Sequence, residues 1–228
     1  VRIAGTFARR VHKGSLSTVA DRFRRAYALA VQRRRRGPES RRDGPNGVYS
    51  TRAYTGSVRN VTDRTRNPFD MRPDCPSVVP GYGDANADFH VIGDRPGVHG
   101  GTEAGVPFTG ASWSPAFLGA LSAAGLIAGL ADGVDDDGVA RSGDPAAVDP
   151  VAVDRTFLSY LHACESDGVP DRDSYADMER VFDAELRAIA AHVLLPVGSR
   201  ATAQVLESYT ARADTAAVDV DALHAVEL

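Results

Sequence analysis

Apolar positions cluster into three short blocks, each followed by a segment with helical spacing. Residues 88–93 read as a short buried strand that ends at Gly93. A Gly/Pro-rich loop occupies 94–110, and Ser114-Pro115 then opens a helix, since Ser is a good N-cap and Pro fits the first helical position. That helix carries Phe117, Leu118, Leu121 and Ala124, with Gly125 near its end. Residues 132–150 are acidic, glycine-rich and loop-like. A second strand covers 155–162. Asp171 to Ser174 caps a long helix, Ser174 and Asp177 standing in capping-box spacing, and Met178, Val181, Phe182, Leu186 and Ile189 form its apolar face. Residues 192–198 make a third strand, whose Pro196 suggests a strand end or edge. Ser199 starts a further helix through Val205 and Leu206, and 214–228 is weakly patterned.

Strand and helix therefore alternate, β-α-β-α-β-α. The expected fold is α/β, three layers (α/β/α) around a mostly parallel sheet. Ligands of such sheets sit beyond the carboxyl ends of the strands, which makes 94–110 the expected site. Three parallel strands are few, so a portion beyond the C-terminus is expected to be missing.

Charge divides the chain. Residues 1–57 hold 14 basic and 3 acidic residues, a charge of +11, while 58–228 carries −15. Within 1–57 only 19–31 has helical spacing, with Phe23, Tyr27 and Ala30 on one face, and the run Arg33-Arg34-Arg35-Arg36 follows. The stretch fits a basic arm that grips phosphates or a disordered leader, and the shift in composition at Val58 favours the leader. The expected organisation is a disordered extension, 1–57, and one α/β domain, 58–228. Lys13 is the only lysine and the acid excess is mostly Asp, a balance like that of haloarchaeal proteins. At molar salt the Debye length is about 3 Å, so an acidic domain can still approach DNA. The apolar stretch 116–131 is shorter than the ~20 residues of a membrane span, and no signal-peptide run follows the paired arginines. The chain reads as soluble and cytoplasmic.

Candidate chemistry lies in the glycine-rich loop. Gly93-Asp94-Arg95-Pro96-Gly97 is followed by Gly105-Val106-Pro107-Phe108-Thr109-Gly110. These linked motifs resemble the first motif of the uracil-DNA glycosylase superfamily, nearest its family 4 branch and a haloarchaeal group within it. The likeness extends over about 58–228, through 157–164 and 194–201. It implies base excision: hydrolysis of the N-glycosidic bond of uracil or a related damaged base in DNA, after the nucleotide is flipped into a pocket. By that resemblance Asp94 is the carboxylate that stabilises the sugar cation or orients water, and Phe108 is the ring on which the base stacks. Gly93, Arg95, Pro96 and Gly97 would line the substrate site, Arg95 offering a phosphate contact.

Each residue also has a plainer reading. Asp94 serves equally well as a loop cap. Phe108 suits a core, although its Pro and Gly neighbours favour a pocket wall. His99 reads as a solvated loop histidine, and Asp135-Asp136-Asp137 as a solvated face rather than a cation site.

Several positions depart from the family. Its [4Fe–4S] cluster takes four cysteines, whereas Cys75 and Cys164 are the only two here; the other two positions fall near Met71–Arg72 and Val181–Phe182. No cluster, no metal and no other cofactor is expected, and the cysteines are expected to be ordinary buried thiols. The asparagine that recognises uracil falls near Tyr160. The second family motif, which supplies a histidine to the leaving base, is not found after Leu206, and His224 lacks its proline partner. The expected partner is DNA containing a damaged base, with no membrane and no obligate protein partner. Two other functions remain: a catalytically lapsed nucleic-acid or nucleotide-binding module of the same fold, and an unrelated phosphate-binding α/β hydrolase, which would want a metal.

Overall fold

The computed structural model describes residues 2–3, 64–130, 136 and 150–209. The helix expected over 19–31, the boundary at 57/58, Asp135, Asp137 and the segment 214–228 lie outside the described residues. Asp136 is an exposed turn residue.

Seven strands and four helices are described. They are β1 (Arg2–Ile3), β2 (Tyr82–Gly83), β3 (Phe89–Gly93), α1 (Pro96–His99), α2 (Ser114–Ala123), β4 (Ile127–Leu130), β5 (Val151–Val153), β6 (Thr156–Tyr160), α3 (Arg172–Ile189), β7 (Val193–Pro196) and α4 (Ser199–Tyr209). The main sheet has the order β1-β7-β3-β6-β2. Strand β3 lies at its centre, parallel to β6 from Phe89↔Thr156 to Gly93↔Tyr160 and parallel to β7 from Phe89↔Val193 to Ile92↔Pro196. The three strands expected from the apolar blocks are therefore present and adjacent.

The expectation of a mostly parallel sheet needs correction to a mixed one. β2 joins the edge of β6 antiparallel, and β4 and β5 form a separate antiparallel pair. These strands are two to four residues long, and pairing rather than their own pattern defines them. β4 also claims the end of the apolar stretch 116–131, because α2 stops at Ala123 and Gly125 turns the chain at φ 76°. β1 pairs with the free edge of β7; its two residues lie inside the stretch expected to stand apart from the domain.

Every residue of β3, β6 and β7 is buried, as expected for strands covered on both faces. Alternate side chains feed two cores. Phe89, Val91, Leu158, Val193 and Leu195 pack with Phe117, Leu118 and Leu121 of α2. Ile92, Phe157 and Leu194 pack with Phe182 and Ile189 of α3 and with Ala201, Val205 and Leu206 of α4. The amphipathic spacing of α3 buries Met178, Phe182 and Ile189 as expected, but Asp171 is its cap, accepting from Ser174 N at 2.8 Å. Ser174 is thereby freed for another contact.

The cysteines also differ from expectation. Cys75 and Cys164 form a disulfide, with their Cα atoms 6.1 Å apart. Two backbone bonds set up this approach: Val79 N to the Ala163 carbonyl and Glu165 N to the Ser77 carbonyl, at 2.9 and 3.0 Å. They lay the strap 75–79 alongside the exit of β6 and bring the sulfurs within bonding span.

Candidate functional site

Strand β3 delivers Asp94 to the carboxyl edge of the sheet. Its last residue must be glycine, since a Cβ on Gly93 would lie 2.8 Å from the Tyr160 ring and 2.9 Å from that of Phe108. The Gly93 and Asp94 carbonyls accept from Leu161 N and His162 N, each at 3.0 Å, which continues the β3–β6 ladder past the strand ends. Arg95 is extended, Pro96 opens the single turn α1, and Gly100 closes it at φ 76°. Gly97 is exposed on that turn.

The Asp94 carboxylate is buried and bonded on both oxygens. Tyr175 Oη, from the first turns of α3, donates to Oδ1. Arg95 Nη1 donates to Oδ2 at 2.8 Å. Arg200, in the first turn of α4, places its Nε 3.8 Å from Oδ1 and its guanidinium over the Tyr175 ring, 4.3 Å from the centroid. Burial, then the bond to Asp94 and its charge, push the Tyr175 phenol up to about 12, so Tyr175 remains a donor across the neutral range. Arg95 Nε is buried with no hydrogen-bond partner in the cluster.

His162, just past β6, supports this arrangement from beneath. Its Nδ1 lies 3.0 Å from the Cys164 carbonyl and its Nε2 2.8 Å from Ser174 Oγ. A carbonyl only accepts, so Nδ1 carries a proton toward the Cys164 carbonyl. The ring lies 5.2 Å from that of Tyr175. A chain of contacts thus runs from the disulfide exit of β6 through His162 to the start of α3 and on to Asp94.

Phe108 lies elsewhere. It is fully buried in the core under α2, with ring centroids of Phe117, Tyr160 and His99 at 4.9, 5.3 and 5.6 Å. Its backbone is held at φ 67°, and its N–H donates to Tyr160 Oη at 2.6 Å. Gly93 faces this core. Asp94, the next residue, therefore points to the opposite side, toward α3 and α4. The structure does not bring Asp94 and Phe108 into one pocket.

His99 is a correction as well. It is buried rather than solvated, 3% exposed, and stacked on Tyr160 with an interplanar angle of 25°. Its Nδ1 accepts from Asp94 N at 3.0 Å, and burial lowers its pKa to about 4. A neutral imidazole therefore anchors the backbone of the proposed catalytic residue.

Beside the Asp94 cluster a cleft of about 600 Å³ opens between α3 and α4. Tyr175 and Arg200 belong to both the cleft wall and the cluster, whereas Gly93, Asp94, Arg95, Pro96, Gly97 and Phe108 do not line this cleft. Sequence reasoning singled out Asp94 and Arg95 through the motif resemblance. It missed Tyr175 and His162, and took in Arg200 only within the segment 194–201 to which the family likeness extends. The signal for Arg200 is its place directly after the Gly198-Ser199 turn that follows a parallel strand.

The residues at the family's cluster positions do not fit an iron–sulfur group. Cys75 and Cys164 are bonded to each other, and Met71, Arg72, Val181 and Phe182 offer no thiolate. No helix is long and apolar enough to cross a membrane among the described residues. Compared with known proteins, the chain matches no family model and no curated sequence.

Proposed function

We propose that this protein is a DNA base-excision glycosylase that hydrolyses the N-glycosidic bond of uracil or a related damaged base, on a three-layer fold like that of the uracil-DNA glycosylase superfamily. The observation that carries the reading is the placement of Asp94: a buried carboxylate at the carboxyl end of the central parallel strand, held in one orientation by Tyr175 and Arg95. A carboxylate fixed there opposes the positive charge that develops on deoxyribose as the base departs. It also orients the attacking water. Arg200, about half exposed, offers a guanidinium at the same edge to a flanking phosphate, while Arg95 turns inward onto Asp94. The cellular setting that accords with this reading is DNA repair in a salt-rich cytoplasm.

The lapsed binding module is the second reading, and the burial of Phe108 favours it. A ring fully enclosed under α2 offers no stacking surface to a flipped base unless the loop opens. One experiment separates the two. Uracil-containing single- and double-stranded oligonucleotides are incubated with the protein at low and molar salt, and both base release and binding are followed. The glycosylase reading expects free uracil and an alkali-labile site. Binding without release would support the lapsed module instead.

A further inference from the structure

We propose that the cleft between α3 and α4 is a nucleotide subsite, with a phosphate held by Arg172 and Arg200 and a base laid along the cleft floor. The inference rests on the nucleic-acid reading above and assigns one nucleotide of such a ligand to a place in the fold. The cleft, at about 600 Å³, falls within the range of small-ligand sites. Its walls are two helices that leave the same edge of the sheet, since α3 follows β6 and α4 follows β7, and both strands are parallel to β3. The helices therefore run in the same direction.

Charge is distributed along this cleft in a defined order. Arg172 opens α3 and Arg200 stands second in α4. Glu179 and Glu207 follow seven residues later on their respective helices, about 10 Å further along at 1.5 Å per residue. All four line the cleft. One end thus presents two guanidiniums together with Asp171, whose carboxylate caps α3, and the other end presents two carboxylates, with Leu161 and Phe182 buried beneath them. Each arginine sits at the positive end of its helix dipole, where a cation weakens the helix slightly. Their positions are not explained by helix stability.

Asp171, the acid at this end of the cleft, accepts from Ser174 N and is ion-paired to neither guanidinium. Arg172 has no ion-pair partner among the described residues. Arg200 is about half exposed, its nearest carboxylate being Asp94 at 3.8 Å, and the Tyr175 ring holds its plane in place. Two planar forks at one end of a cleft match the oxygens of a phosphate. The apolar floor suits the face of a base, and the acidic end accepts bonds from a ring N–H or a sugar hydroxyl group.

The same phosphate chemistry belongs to a free nucleotide and to a DNA strand, and calorimetry distinguishes them. The full chain is titrated with dUMP, inorganic phosphate and a five-nucleotide oligodeoxynucleotide at low salt, beside the variant Arg172→Ala, whose side chain is exposed and whose folding is checked by circular dichroism. The expected result is binding of dUMP, weakened about tenfold or more by Arg172→Ala, with phosphate alone bound less tightly. Tighter binding of the oligonucleotide, with a salt slope that falls by about one in the variant, identifies the source as a strand; equal binding of dUMP identifies it as a free nucleotide. Both support the subsite. Unchanged affinity in Arg172→Ala, or no binding of any probe, would overturn it, and phosphate bound as tightly as dUMP would overturn the role of the floor. Because the readout is affinity, a chain that binds dUMP but releases no uracil retains this subsite and loses the glycosylase reading. Excision without Arg172-dependent binding does the reverse.

Discussion

Glu185 couples the stability of the domain to pH. It sits on the inner face of α3 at 6% exposure, hydrogen-bonded to Ser159, whose Oγ also lies 2.7 Å from His90 Nε2. Burial pushes the Glu185 carboxyl up to about 8, so it is protonated at neutral pH. A carboxyl raised in the folded state contributes stability that is fully present below its ordinary value of 4.5 and is lost as pH rises through about 8. Glu185→Gln keeps the shape and removes the titration. Chemical denaturation should show the wild type losing stability relative to this variant between pH 4.5 and 8, by on the order of several kcal/mol. Parallel curves would contradict a buried neutral Glu185. His90 and His99, lowered to about 3 and 4 by burial, act in the opposite direction, since their neutral folded forms lose stability as pH falls below 6.5. They cancel in the comparison because both proteins carry them. The position of Asp94 just past a buried strand was legible in the sequence, because the apolar run 88–93 ends in glycine. Tyr175 was not, since it meets Asp94 across 81 positions of sequence, and no local pattern reports such a contact.

At the scale of elements, apolar periodicity located β3, β6, β7, α2, α3 and α4, because each buries a face that its own residues must supply. It could not locate β2, β4 or β5, which are too short to show a period and take their identity from a partner strand. Caps were legible to within a turn: Ser174 was read as part of the start of α3, while Asp171 does the capping. The end of α3 carried no such signal. Ala190 adopts the left-handed conformation there, φ 49° and ψ 42°, where glycine is the usual residue. Replacing Ala190 with Gly should relieve that strain and raise stability by about 0.5–1 kcal/mol, measured as a higher denaturant midpoint with unchanged slope. A lower midpoint would mean that the turn into β7 does not depend on this conformation.

For the whole molecule, the disulfide is the longest covalent constraint described. It joins residues 89 positions apart and ties the strap before β2 to the exit of β6, next to His162. Closing so long a loop restricts the unfolded chain, and replacing both Cys75 and Cys164 by Ser should lower stability by about 2–4 kcal/mol. Equal denaturation midpoints for this variant and the oxidised wild type would contradict that contribution. The pairing was not legible, because the two cysteines lie 89 positions apart with no local pattern to link them; only the backbone bonds at Val79 and Glu165 reveal their proximity. The sheet's centre was legible, whereas the division of the edge at the end of β3 was not. Asp94 faces α3 and α4, while Phe108 is enclosed under α2.

The central claim is that Asp94, held by Tyr175 and Arg95 at the end of β3, performs base excision. Its most direct test is the rate of uracil release from a uracil-containing oligonucleotide by the wild type and by Asp94→Asn, at matched folding and at both low and molar salt. The account predicts measurable release by the wild type and a loss of about 10²–10³-fold in the variant, the scale expected when one preorganised electrostatic group is removed. Equal rates in the two proteins, or no release by the wild type at any salt concentration, would contradict it.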